Sequence, residues 1–435
     1  MRPLIIVLGA AGIVTLTLGT GTAPARASRP VPELHASGCL SEPPATSTHV
    51  VAPLGDLHDG RTLCDRVYAV NNLSADGSRW TVSLIDPHVM RVVDDIPVGP
   101  QPHHIYPVPG RNIAYISHLA GNGLDVLDMV SNQVVGRVTT GSGPRHLDFS
   151  PDGRLAYTDD FPGNTITAVN TASGRTLGIL PVGRQPNYNV TSADGRYLFV
   201  ANSGESSVSV VDTHALRVVR TITVGLAPAT TPSHPFNLVL TPDGAQVVIT
   251  GAGDNSLSFV DIRTLTETGS VFIGGANSTV PGQNQSQKLN VRVTPDSRFA
   301  WVGNQANSEW SVVNVETHRL ASEIPAGAGA DILFQPPAGP AAGLGIGTAR
   351  YSHHMTVVDT KDPTLIRTVP TALGSHIVAF NREWTMGFVA CRPGNAVSVV
   401  DLRNMTDVGD IPVGLFPDGI VYIWFEHGHA RTHSV

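Results

Sequence analysis

Apolar and polar residues alternate along most of this chain in runs of about five to seven, each run ending in a turn rich in Gly, Pro or Asp, as half-buried β-strands do. The runs fall into a composite pattern: G-x-x-P-x-x-hydrophobic, then S/T-P-D-G, Y/F-V-x-N, S-V-x-V-V-D-T and V-x-x-I-x-V-G. Its clearest copies are GPRHLDFSPDGRLAYTDD (143–160), QPNYNVTSADGRYLFVANSGESSVSVVDT (185–213) and SHPFNLVLTPDGAQVVITGAGDNSLSFVD (233–261). They recur at roughly 42 to 53 residues, and each spells four short strands. Such units cannot bury their faces alone, so the pattern predicts an all-β chain whose units stack radially into a β-propeller.

Inner strands are expected to begin near Pro102, Pro144, Pro186, Pro235, Leu289, Ala330, Ser375 and Pro417, and second strands to end near Asn71, His118, Asp160, Asn202, Gly251, Asn304, Thr348 and Cys391. The first unit lacks an inner strand, while the last strand (416–425) has no unit of its own. The expectation is therefore eight four-stranded blades over residues 65–425, with the C-terminal strand pairing into the N-terminal blade to close the ring. Seven blades is the alternative, because the copy at 330–369 carries QPPAGPAAGLG where the others have the S/T-P-D-G turn. Residues 426–435 read as a flexible tail.

The N-terminus sets the compartment. Arg2, an apolar run from Leu4 to about Leu18 and the A-x-A site at Ala25–Ala27 read as a signal peptide over residues 1–27, too short for a membrane span, so a secreted protein with no stable membrane insertion is expected. Residues 28–64 form an extension, and export favours a Cys39–Cys64 disulfide, with Cys391 left over. A net charge of −7 without any basic block argues against nucleic acid as a partner.

The Y-V-x-N stretches, LFVAN at 198–202 and AWVGN at 300–304, resemble the YVTN-type β-propeller repeat family, related in fold to the propellers of nitrous oxide reductase, haem-containing nitrite reductases and streptogramin lyases. The resemblance covers about four fifths of the chain; it implies the propeller and leaves the function open, because the repeat occurs in binding proteins and enzymes alike. There is no C-x-x-C-H haem attachment motif, no H-E-x-x-H and no nucleotide motif.

Chemistry concentrates on the face carrying the D-to-A and B-to-C loops. Inner-strand starts there offer His104, His146, Tyr188, Asn237, Asn290, Asp331, His376 and Asp418, and second-strand ends add His118 and Cys391. Imidazole and thiolate suit a transition metal, copper first and iron second, so His104, His118, His146, His376 and Cys391 are the candidate metal ligands. His103, Tyr188, His234, Asn237, Asn290, Asp331, His353, His354 and Asp418 are the candidate ligand pocket. The competing reading is a solvated polar tunnel, with Cys391 an inert buried thiol. The function expected is a monomer that binds a small molecule or protein at this His-lined face. The alternatives are a copper- or iron-dependent oxidoreductase using the same histidines, and a metal-assisted lyase, for which the face offers Asp159, Asp160, Asp331 and Asp418.

Overall fold

The computed structural model describes residues 65–74, 76–226, 231–274 and 289–433; the signal peptide, the extension and the expected Cys39–Cys64 disulfide lie outside them. Eight sheets form, each with four consecutive antiparallel strands except the first, which takes its inner strand from the C-terminus. Seven blades is thus set aside: the degenerate copy folds as a full blade from Ala330–Phe334 to Thr364–Pro370. In blade 1, Arg66–Leu73 pairs on one side with Thr81–Asp86 and on the other with Leu415–Glu426, which closes the ring as the unpaired ends of the repeat require.

The sequence motif has a physical reading in each part. In the S/T-P/A-D turns, Ser150, Ser192, Thr241 and Thr294 each donate a side-chain hydrogen bond to the Asp two residues on, at 2.5–2.6 Å. These Asx-type contacts fix the hairpin between inner and second strands. The middle strands are buried along nearly their whole length, whereas outer strands such as Arg217–Thr223 are mostly exposed, with Ile222 buried. Apolar clusters bridge neighbouring blades, as where Phe199 and Val210 of blade 4 share a core with Leu238 and Ile249 of blade 5. Each blade so covers the face its neighbour cannot bury.

The second-strand ends, expected at the channel mouth, serve this assembly instead. Asn202 donates to Ser207 Oγ and Ser209 Oγ, each at 2.9 Å, and Ser209 Oγ accepts from the Gly183 amide in the preceding connection. Asn71 with Thr81 and Ser83, and Asp160 with Thr165 and Thr167, repeat the arrangement. The V-G glycines lie directly over these side chains: a Cβ on Gly141 or Gly183 would press into Asp160 or Asn202. At Gly141 and Gly183 the glycine is therefore required by close approach, not by its backbone angles.

The chain stays paired past Phe425 as far as Arg431. The closing strand runs to Glu426 and turns back as a short strand, His429–Arg431, placed innermost in blade 1. The Ala430 amide donates to Asn112, and His433 stacks on Trp384 with ring centroids 3.8 Å apart. Residues 430–433 consequently lie inside the ring, at the end bearing the turns between inner and second strands. Among the described residues no helix is long and apolar enough to cross a membrane.

Candidate functional site

Inner strands of six blades enter the ring through one tight corner. The residue before the strand has positive φ at Gln101, Gly143, Gln185, His234, Gly329 and Gly374, and the strand then shifts register within three residues, as at Pro102/Ile105, Pro144/Leu147 and Pro186/Asn189. A bulge of this kind re-aims the side chains beside it. In blade 2 it turns two consecutive residues, His103 and His104, toward the same cluster, where a regular strand would have sent them to opposite faces.

His103, His104 and His146 come together: one ring nitrogen of each lies within 4.8 Å of the other two. The His103 centroid is 4.1 Å from that of His104 and 5.0 Å from that of His146, and His146 stacks on Tyr188 at 3.6 Å. Nδ1 of His103 faces the Arg145 carbonyl at 3.3 Å, and Nδ1 of His146 faces the Asn187 carbonyl. A carbonyl partner fixes the Nδ1–H tautomer and leaves Nε2 as a lone pair. Room for His104 comes from Gly419 in the closing strand, where a Cβ would stand 2.8 Å from the His104 Cα.

Burial holds all three imidazoles below their ordinary range, His104 down to about 3, with Asp418 pulling the other way. The neighbouring histidines and Arg145 deepen the shift at His103 and His146. Three neutral imidazoles sit side by side.

The adjoining sector, from blades 6 to 8 and the closing strand, is charged. His376 Nδ1 donates to Asp331 Oδ2 at 2.6 Å, and its Nε2 lies 3.2 Å from Asp418 Oδ1. Arg350 Nε also donates to Asp331 Oδ2, at 2.8 Å, while Asn290 and Gln305 donate to Oδ1 at 2.7 and 3.0 Å. Asp418 further approaches His103 Nε2 and an Arg392 Nη, both at 3.6 Å. Burial alone would raise both carboxyls; the cations and hydrogen bonds outweigh it and hold each well below the usual range. On the opposite side, burial raises Asp159 well above that range, although it accepts from the His146 amide and from Asn189.

Several expected site residues stand elsewhere. His118, fully buried, has its Nε2 3.1 Å from Asp125 Oδ2 within its own blade. Cys391 lies in the apolar core with Val389 and Val400, its thiol 3.4 Å from Ser398 Oγ and pushed up to about 11 by burial. Both are second-strand ends, and the physical reason is the interblade role of that position. His234 is the left-handed corner residue of blade 5 and meets the Ser203 carbonyl at 2.8 Å. His353 is exposed, His354 opens a third strand, and neither joins the cluster. Asn237 accepts from the Val291 amide, a structural bond between blades 5 and 6. His376 is at the site but bound to carboxylates, 6.4 Å from His104 by ring centroids.

Arg350 and Arg392, which the repeat register did not single out, each follow a second-strand end, Arg350 in the blade of Asp331 and Arg392 in blade 8 beside the closing strand of Asp418. That position reads Leu119, Phe161, Ser203, Ala252, Gln305, Arg350 and Arg392 along the chain, so charge appears where the carboxylates are. From the cluster a cavity of about 670 Å³ runs down the ring, past Tyr106, Asp148 and Arg292, to the tail residues 430–433.

The architecture and this mouth define an eight-bladed β-propeller with a histidine–carboxylate centre at one end of its channel. No family model matches the sequence, the YVTN-type repeat included, and no curated protein matches it. Among solved structures, the chain is similar to hydrazine synthase of Kuenenia stuttgartiensis, at 21% identity and TM-score 0.54 over 69% of this chain and 96% of that one. It is also similar to the dihydro-haem d1 dehydrogenase NirN in complex with DHE (12% identity, TM-score 0.65, 81% and 74% of the two chains). A protein of unknown function from Desulfotomaculum acetoxidans gives 14% identity and TM-score 0.53 over 82% and 98%. At these identities the likeness speaks for the fold alone.

Proposed function

We propose that this propeller, exported as its leader suggests, holds one divalent transition metal through His103, His104 and His146 and meets a small molecule in the channel beneath it. The observation that carries this reading is the three converging imidazoles, kept neutral and, in two cases, oriented by backbone carbonyls. Metals bind the neutral form, so little proton release opposes ligation at neutral pH, and the carbonyl partners resemble the outer shell that orients metal-bound histidines. Bonds of about 2.0–2.1 Å require the nitrogens to draw together from their present spacing, a matter of side-chain rotation on metal entry. An all-imidazole set favours copper(II) over zinc and iron(II) in affinity. Asp418, 3.6 Å from His103, supplies compensating negative charge.

Three protein ligands would leave a coordination position open, the arrangement of catalytic rather than closed structural sites. His104 and His146 line the cavity, so that position would face a bound molecule, which favours metal-dependent oxidoreductase chemistry as the second reading. The similarly folded dehydrogenase NirN, known in complex with DHE, offers a precedent for a small molecule on such a scaffold.

The test is calorimetric titration of copper(II) and zinc into chelator-treated, tag-free protein, with elemental analysis of the loaded form. About one ion per chain is expected, with His103→Asn and His146→Asn each weakening binding at least tenfold while the far-UV spectrum is unchanged. Full stoichiometry at unaltered affinity in the double variant would overturn the assignment.

A further inference from the structure

The channel contains a cation that, among the described residues, has no carboxylate within ion-pair reach. Arg292 sits in the inner strand of blade 6, Leu289–Val293, and its guanidinium lines the cavity. Among the described residues its one hydrogen bond runs from an Nη to the carbonyl of Val291, next to it in the chain, and no carboxylate lies within ion-pair reach. The acidic groups nearby are engaged: Asp331 takes Arg350, His376, Asn290 and Gln305, Asp159 takes the His146 amide and Asn189, and Asp148 takes the Thr191 amide at 2.7 Å. A guanidinium offers five N–H groups, so most of this one's capacity points into the cavity unused. A half-buried, unpaired charge is costly to fold around, and a ligand anion would relieve that cost.

The wall around Arg292 narrows the chemistry. Tyr106 and Tyr188 line the same cavity, and the remaining lining is largely apolar, with Ile332 and Phe334 from the neighbouring blade 7 and Phe380 from blade 8. A volume of about 670 Å³ falls within the roughly 300–1,000 Å³ of small-molecule sites. A planar guanidinium recognises a carboxylate with two parallel hydrogen bonds, and the apolar wall recognises a hydrocarbon or aryl body.

We propose that the channel is a binding site for an amphipathic organic carboxylate, its carboxylate on Arg292 and its apolar body along the inner strands of blades 2, 7 and 8. The site rests on the channel's reading as a small-molecule pocket and is independent of the metal.

Chelator-treated protein is titrated calorimetrically with hexanoate, octanoate, decanoate and 4-phenylbutyrate, each beside its primary amide, which keeps the shape and removes the charge. At least one acid is expected to bind tenfold or more tightly than its amide. Arg292→Gln should abolish that difference and leave the amide's affinity unchanged, while Arg292→Lys should keep part of it. Copper(II) titration of the same variants reports on the mouth separately, so a protein that takes no metal can still pass this test. Acids that bind no better than their amides, acids whose affinity survives Arg292→Gln, or no binding by any of the eight compounds would each overturn the proposal.

Discussion

His104 is held neutral by burial, and this has a measurable thermodynamic signature. Its folded value, down to about 3, lies below the roughly 6.5 of an unfolded imidazole. The unfolded chain therefore takes up a proton below pH 6.5 that the folded chain refuses, so this residue's contribution to stability falls as pH falls. Between pH 7.5 and 5.5 the loss from one such imidazole is about 1.4 kcal/mol. Wild-type protein alone cannot isolate it, because Asp160, raised to about 7 by burial, titrates in the same window with the opposite sign. His104→Gln does: the variant keeps Asp160 and lacks the imidazole. The penalty of the substitution, measured by urea unfolding followed through tryptophan fluorescence in the presence of chelator, should be about 1.4 kcal/mol smaller at pH 5.5 than at pH 7.5. His103 and His146 are also kept neutral, so their contributions cancel between the two proteins over this range. A penalty independent of pH would refute the buried neutral imidazole, and one that grows toward pH 5.5 would mean that His104 is charged and ion-paired in the folded protein.

Other perturbations test other parts of the molecule. Gly183→Ala should destabilise by about 1–3 kcal/mol because its Cβ meets the Asn202 amide, and adding Asn202→Ala should recover part of the loss; urea midpoints that show no recovery would break the interblade argument. Deleting residues 427–435 removes the inner strand and the His433 ring from Trp384, so tryptophan emission should shift and small solutes should enter the channel from that end, with a coincident spectrum counting against the tail's placement. Asp418→Asn should weaken copper(II) binding roughly 10–100-fold while the three imidazoles remain, which calorimetry would read directly; an unaltered affinity would separate Asp418 from the metal.

Period and turn chemistry made the ring legible: four strands per repeat, the blade count and the C-terminal closure all follow from where Pro, Gly and Asp interrupt the apolar alternation. The site was legible in part. Face and residue types came from the repeat register, but register assigns one inward residue per strand, and the bulge after Pro102 brings in two, so His103 belongs with His104. Aligned columns likewise placed His118 and Cys391 beside the mouth, whereas Asn202 and Asp160 in the same column hold third-strand hydroxyls of their own blade, and those hydroxyls accept from amides of the preceding connection. Hydroxyls two residues apart in the third strand, Ser207 and Ser209 or Thr165 and Thr167, were the available signal. Arg292 had none: a lone cation mid-strand matters only through the partners it lacks, and these depend on the whole ring.

The mouth is divided in its electrostatics, and the division has a cause in the chain. Blades 2 and 3 supply neutral imidazoles packed on one another and on Tyr188, whereas blade 7 and the closing strand supply Asp331 and Asp418, with Arg350 on the first, Arg392 near the second and His376 between the two. Asp418 draws His103 and His104 toward protonation, and burial outweighs it and preserves the lone pairs a metal needs. Asp418 also meets Arg392 and His376, and from 3.6 Å beside His103 it would favour an arriving divalent ion while the imidazoles stay uncharged. The ring closure makes this possible: Asp418 comes from the last strand and His103 from the blade beside it, so the pairing that seals the propeller also completes its chemistry.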